Sequence, residues 1–298
     1  MRAPYLILIL LLALLAWAPS AHAARSYDNC SGVIASLPAT ISTPGTWCMK
    51  QDLATAITSG FAITIAADNV TVDCNDHQVN GLAAGVATHT TGIFANEQSN
   101  VTVRHCDVRG FETGIELYTP FDFTHGYLAE YNHLDGNTGL AMWVMGQGGV
   151  VRHNEVLDTG NSTIGNNVSG IWTDHSVDVI DNVVSGVVAA TGSNGYAVGI
   201  WADVNGGNTK SSSARIEGNT VSGLHPDGTG RAFGIEATSY NIPSRMAIRD
   251  NRLVGDGTTT SVAFWCDSSR MRVRNNTMYG FGTAYNSCAD AGGNDYKR

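Results

Sequence analysis

The chain has 298 residues, a formal net charge of −9 at pH 7, 43% apolar residues, only 14% charged residues and 34 glycines. That apolar content excludes a disordered chain, and seven prolines without a Gly-X-Y period exclude collagen-like and proline-rich segments. Lysine is confined to Lys50, Lys210 and Lys297, so there is no broad basic footprint for nucleic acid or an anionic membrane, and an anionic polysaccharide is repelled unless a cation intervenes.

In chain order, Arg2 precedes an apolar run from Tyr5 to Pro19, and Ala21-His22-Ala23 supplies a small-x-small cleavage site. Residues 1–23 therefore read as a secretory signal peptide. The run is shorter than the ~20 residues of a spanning helix, and no later stretch is long and apolar enough to cross a bilayer. A secreted or periplasmic protein without an integral membrane segment is expected. Cys30, Cys48, Cys74, Cys106, Cys266 and Cys288 suit an oxidising compartment. Several connectivities are open, and the placement favours pairing of sequence neighbours. A zinc site lacks its C-x-x-C spacing. Residues 24–60 carry Leu53, Ala54, Ala56 and Ile57 at loosely helical spacing and read as an N-terminal cap.

From 61 to 285 two signals alternate. The first is a turn position, occupied by His77, Cys106, Asn132, Asn154, Asn182, Asn219, Asn251 and Asn276, with an apolar residue two places later and usually glycine four places later. The second is glycine before an apolar residue: Gly92-Ile93, Gly114-Ile115, Gly139-Leu140, Gly170-Ile171, Gly199-Ile200, Gly234-Ile235 and the degenerate Ala263-Phe264. Turn positions recur every 22 to 37 residues. A strand-rich unit of that size buries its apolar face only by stacking on its neighbours. Asparagine suits the turn because it tolerates left-handed backbone geometry, and stacked asparagines can form an amide ladder. His105, His133 and His153, at or beside the turns, read as structural. Residues 286–298 form a tail over the far end.

This pattern resembles the right-handed parallel β-helix proteins of the pectate-lyase-like superfamily. The expected fold is all-β, a monomeric right-handed parallel β-helix (solenoid) of about eight coils with N- and C-terminal caps. The resemblance implies that the strand opening with Gly-Ile lines a substrate groove. Strand alternation then sends these pairs outward: Phe94 and Asn96, Glu116 and Tyr118, Ala141 and Trp143, Trp172 and Asp174, Trp201 and Asp203, Glu236 and Thr238, Trp265 and Asp267. Trp172-Thr173-Asp174-His175 is similar to the W-I-D-H segment of pectate lyases, a match that a repeat produces by chance. The consecutive Asp-Asp of polygalacturonases is absent from the motif positions, so that family's catalytic residues are not carried over.

Indoles beside carboxylates are what a sugar site requires, because apolar sugar faces stack on rings while hydroxyls bond to carboxylates. A polysaccharide is the expected partner. Trp172, Trp201 and Trp265 are the candidate platforms, with Glu116, Asp267 and Arg231 as further substrate contacts. Asp174, Asp203, Glu236 and His175 are the candidate catalytic residues. Two chemistries are open. In a hydrolase, Asp203 and Glu236 stand diagonally, roughly 8 Å apart from strand spacing, as acid and base. In a lyase, a Ca²⁺ held by Asp174 and Asp203 neutralises a uronate while His175, His225 or Arg231 removes a proton. The rival class is a non-catalytic envelope or adhesive β-helix. A second outward row, Arg104, Glu130, Arg152, Glu217, Arg249 and Arg274, reads as a solvated charge ladder.

Overall fold

The computed structural model describes residues 29–119, 126–204, 213–239 and 245–298. The expected signal peptide lies outside them, as does Lys210. The described chain is a parallel β-helix: every paired strand runs parallel to a strand from the preceding or following coil. Three strand ladders form its faces. One contains the strands that open with Gly-Ile, among them His89–Asn96, Thr113–Tyr118, Ala197–Asp203 and Ala232–Thr238. The pre-turn face contains Ser213–Glu217, Arg245–Arg249 and Arg272–Arg274. The post-turn face contains Asp107–Arg109, Val183–Val188 and Thr220–His225.

Alternation puts one file of apolar side chains inside each face. Ile63, Ile93, Ile115, Met142, Ile171, Ile200, Ile235 and Phe264 are aligned and fully buried along the Gly-Ile face. Each buried side chain of this size contributes about 1.5–3 kcal/mol, and a single coil supplies too few of them to stand alone. The glycine before each isoleucine is required by packing. A Cβ on Gly199 would lie 2.3 Å from Val221 Cγ1 and 2.6 Å from the carbonyl oxygen of Gly234.

The amide ladder runs through Asn132, Asn154, Asn182, Asn219, Asn251 and Asn276 and ends on Asn294. Each Nδ2 donates to the next Oδ1 at 2.9–3.0 Å. The reason for asparagine differs from the one expected. The left-handed residue is the one before it: His105, Tyr131, His153, Asp181, Gly218, Asp250 and Asn275 have positive φ. Asparagine is needed for its amide, which satisfies buried backbone groups between coils. His105, Tyr131 and His153 stack along this corner at 5.5 and 5.0 Å.

The stacked strands extend past 61–285. Gly32–Ile34, Ala39–Ile41 and Gly45–Met49 pair in the ladders, and Asp295–Lys297 pairs with Thr277–Tyr279. Both segments read as cap and tail thus hold paired strands. Leu53–Ala54 is a strand rather than part of a helix, because Leu53 pairs with Val79 and is buried. Disulfides join Cys30 to Cys48, Cys74 to Cys106 and Cys266 to Cys288, the neighbour pairing expected. The charge ladder is present in part, with Asp73 at its head: Ile180 interrupts the row between Arg152 and Glu217, and Asp73 and Glu130 are buried rather than solvated. Arg104 bonds to Asp73 at 2.9 Å, Arg152 to Glu130 at 2.7 Å and Arg249 to Glu217 at 2.8 Å.

Candidate functional site

The outer side of the Gly-Ile face holds an indole stack. Trp143, Trp172 and Trp201 occupy one register row on successive strands. Their ring centroids are 4.6 and 4.7 Å apart with interplanar angles of 6° and 8°. Strand spacing of ~4.8 Å dictates that separation. The row continues from Trp201 to Glu236 and then Trp265. Trp265 is therefore outside the stack and packs edge-on against Phe233 at 6.3 Å.

Trp143 was expected beside Ala141 as an outward pair. Ala141 is instead fully buried, because it takes the glycine place of its coil and Leu140 moves to the outer side. This shift brings Trp143 into line with Trp172 and makes it a stack member. Met145 then occupies the row of Asp174.

Two residues beyond the indoles, Asp174 and Asp203 are direct neighbours in register. Both are buried, at 6% and 7% exposure. The carboxyl of Asp203 is pushed up to about 7, first by burial and then by the adjacent Asp174 charge. Thr238 opposes this by hydrogen bonding to Asp203. The Thr238 hydroxyl also accepts the Trp201 indole N–H at 3.2 Å, which ties the platform to the carboxyl. Oδ1 of Asp203 and the indole nitrogens of Trp143 and Trp172 are buried without a hydrogen-bond partner among the described residues. Such orphaned groups cost about 1–3 kcal/mol each and mark positions that a ligand can satisfy.

Glu236 lies one strand over from Trp201 and diagonal to Asp203, because Trp201 pairs with Glu236 and Asp203 with Thr238. Val198, Phe233 and Val262 form an apolar shelf against Trp201 and Trp265 beside it. Burial pushes the Glu236 carboxyl up to about 7. The loops at 189–196 and 226–231 border this shelf. Asn194 N–H donates to Asp227 at 2.9 Å, its Oδ1 accepts from Thr229 N–H at 3.1 Å, and Tyr196 meets Phe233 edge-on at 5.8 Å.

The remaining candidates are dispersed. His175 occupies the corner between faces with φ 71° and is 6% exposed. Its backbone N–H donates to Asp174 Oδ1 at 2.6 Å, and Nδ1 lies 3.2 Å from the same oxygen. It serves to hold Asp174. Glu116 sits one strand before Trp143 and accepts from Thr91 at 3.0 Å; burial raises its carboxyl. It is three strands from Trp201. Asp267 is exposed and caps Ser239, accepting its backbone N–H at 2.5 Å. Arg231 is exposed at the opposite end of the strand from Asp203, and His225 lies 3.9 Å from Asp256 on the post-turn side.

Calcium takes 6–8 oxygen ligands. Among the described residues no group of three or more His, Cys, Asp or Glu side chains is arranged to hold a metal ion. Asp174 and Asp203, direct neighbours in register, supply two carboxylates toward such a set.

No protein-family model matches the chain, and no curated protein matches it. Two solved structures are similar to it at low identity. The Agl-KA catalytic domain shares 12% identity at a TM-score of 0.35, over 87% of this chain and 58% of that one. The C387A mutant of DFA-IIIase from Arthrobacter chlorophenolicus A6 shares 10% identity at a TM-score of 0.29, over 81% of this chain and 63% of that one. The chain thus spans about three fifths of the length of each.

Proposed function

We propose that this is an exported carbohydrate-active β-helix protein that binds a polysaccharide along the indole stack and hydrolyses it at Asp203 and Glu236. The supporting observation is one juxtaposition: a three-indole platform that ends beside a diagonal pair of carboxyls, Asp203 buried and Glu236 half-buried. One strand step of ~4.8 Å and one two-residue step of ~6.7 Å separate the pair by roughly 8 Å. That falls in the ~6.5–9.5 Å range of inverting glycosidases, which leaves room for a water. Asp203, kept protonated by burial and by Asp174, donates its proton to the leaving glycosidic oxygen. Glu236 accepts a proton from the water that attacks the anomeric carbon as the C–O bond breaks. Export through the expected signal peptide fits the three disulfides.

The test is release of reducing ends from a panel of neutral polysaccharides by the native chain, Asp203→Asn, Glu236→Gln and Trp172→Ala. Cleavage lost in the carboxyl variants and weakened affinity in Trp172→Ala support the proposal. Cleavage that survives in both carboxyl variants contradicts the assignment. Binding without cleavage of any glycan moves the protein to the non-catalytic class.

A further inference from the structure

We propose that the pre-turn face carries a second binding site, centred on Ala247, for a sulfated or carboxylated oligosaccharide. A groove of about 1220 Å³ runs along this face. Six of the fourteen arginines in the chain line it: Arg215, Arg245, Arg249, Arg270, Arg272 and Arg274. One carboxylate, Asp178, lies among its lining residues. This concentration is unexpected in a chain of net charge −9.

The register explains how the site is built. Ala247 points outward and pairs with Arg215 on one neighbouring strand and Arg272 on the other. Arg245 and Arg249 flank it on its own strand, also outward. Four guanidinium groups therefore surround a methyl-sized floor, ~4.8 Å away across the sheet and ~6.7 Å along it at the backbone. Arg274 is the register partner of Arg249. Two of the arginines are held in place: Asp178 Oδ2 accepts from Arg215 at 3.0 and 2.6 Å, and Glu217 accepts from Arg249 at 2.8 Å. Arg245, Arg270, Arg272 and Arg274 make no ion pair among the described residues. Like charges this close repel, and an anion over Ala247 relieves that repulsion through charge-assisted, bidentate hydrogen bonds.

The lining favours a glycan over nucleic acid. Among the described residues it contains no aromatic ring on which bases could stack. Ser176, Ser213, Ser269 and Asn275 offer partners for sugar hydroxyls. Beyond the groove the acidic surface repels a long polyanion. The site is independent of the Trp face, so either assignment can fail alone.

Isothermal titration of the full mature chain tests this with four probes of matched length at one fixed salt concentration: a heparin oligosaccharide, an oligogalacturonate, a neutral gluco-oligosaccharide and a single-stranded DNA oligonucleotide. Arg245→Gln/Arg272→Gln is expected to weaken binding of the anionic glycans about tenfold or more. Arg252→Gln/Arg298→Gln, which removes the same charge elsewhere, changes it less than about twofold by long-range screening alone. Trp172→Ala leaves it unchanged, and thermal melts confirm that the variants are folded. Equal loss in the two double variants, or no binding of either anionic glycan by the native chain, overturns the proposal. DNA bound more tightly than both glycans reassigns the groove to nucleic acid and overturns it as well.

Discussion

Replacing Asp203 by asparagine isolates the cost of ionising one buried carboxyl. The group is 7% exposed and sits beside Asp174, and its ionisation is pushed from 3.8 up to about 7. Between these values the folded chain holds a proton that the unfolded chain has released. Stability therefore falls as pH rises from about 4 to about 7, and is flat above. The full shift of about three units sets a ceiling of about 4 kcal/mol; solvent contact and relaxation reduce this to about 2 kcal/mol. Asparagine keeps the shape and cannot ionise. The difference in stability between Asp203→Asn and the native chain should be small at pH 4 and reach about 2 kcal/mol in favour of the variant at pH 8, or about 5 °C in melting temperature. Thermal melts of both proteins at four pH values measure it. A difference that stays constant from pH 4 to pH 8 would mean that Asp203 ionises alike in the folded and unfolded chain.

Other consequences are equally direct. Asn182→Ala removes an amide that donates to Val151, Ile180 and Asn219 and accepts from Asn154; it should cost about 3 kcal/mol, read by chemical denaturation. Hydrolysis should follow a bell-shaped pH profile centred near 7, since Asp203 must be protonated and Glu236 ionised and both are pushed up to about 7; a rate that climbs steadily to pH 9 would contradict the acid role. Trp172→Ala opens the centre of the stack and should weaken glycan affinity about tenfold, with melting unchanged in its pH dependence.

The stacking was legible because it leaves a period. Ile93, Ile115, Ile171, Ile200 and Ile235 stand at fixed places after glycine, and only coil-on-coil packing explains that order. The disulfide pairing was legible only from the placement of the cysteines along the chain, which favoured the neighbour pairs observed. Three features were not legible. Tyr131 and His153 hold the left-handed corner that was assigned to the asparagines, since propensity alone does not tell a residue that bends the chain from one that satisfies it. Trp143 joins the stack because Ala141 mimics a glycine, and a methyl group in that row breaks the sequence signal. Arg249 and Arg274 were legible as members of one outward charge row, whereas Arg215, Arg245, Arg270 and Arg272 lie beside that row, and alternation along single strands does not reveal that they meet across three coils. The candidate carboxyls were legible as residue types on one face, whereas the perturbed ionisation of Asp203 and Glu236 required the burial that neighbouring coils and the Phe233 shelf impose.

In the proposed reaction Asp203 and Glu236 act across a gap wide enough for water. Once a cleaved glycan is in hand from the neutral panel, proton NMR of the newly formed anomeric centre, recorded before mutarotation, reads out whether water attacks from the face opposite the leaving group. The geometry predicts inversion of configuration, and no product from Asp203→Asn or Glu236→Gln under the same conditions. Retention of configuration, or product formed by either variant at the native rate, would contradict it.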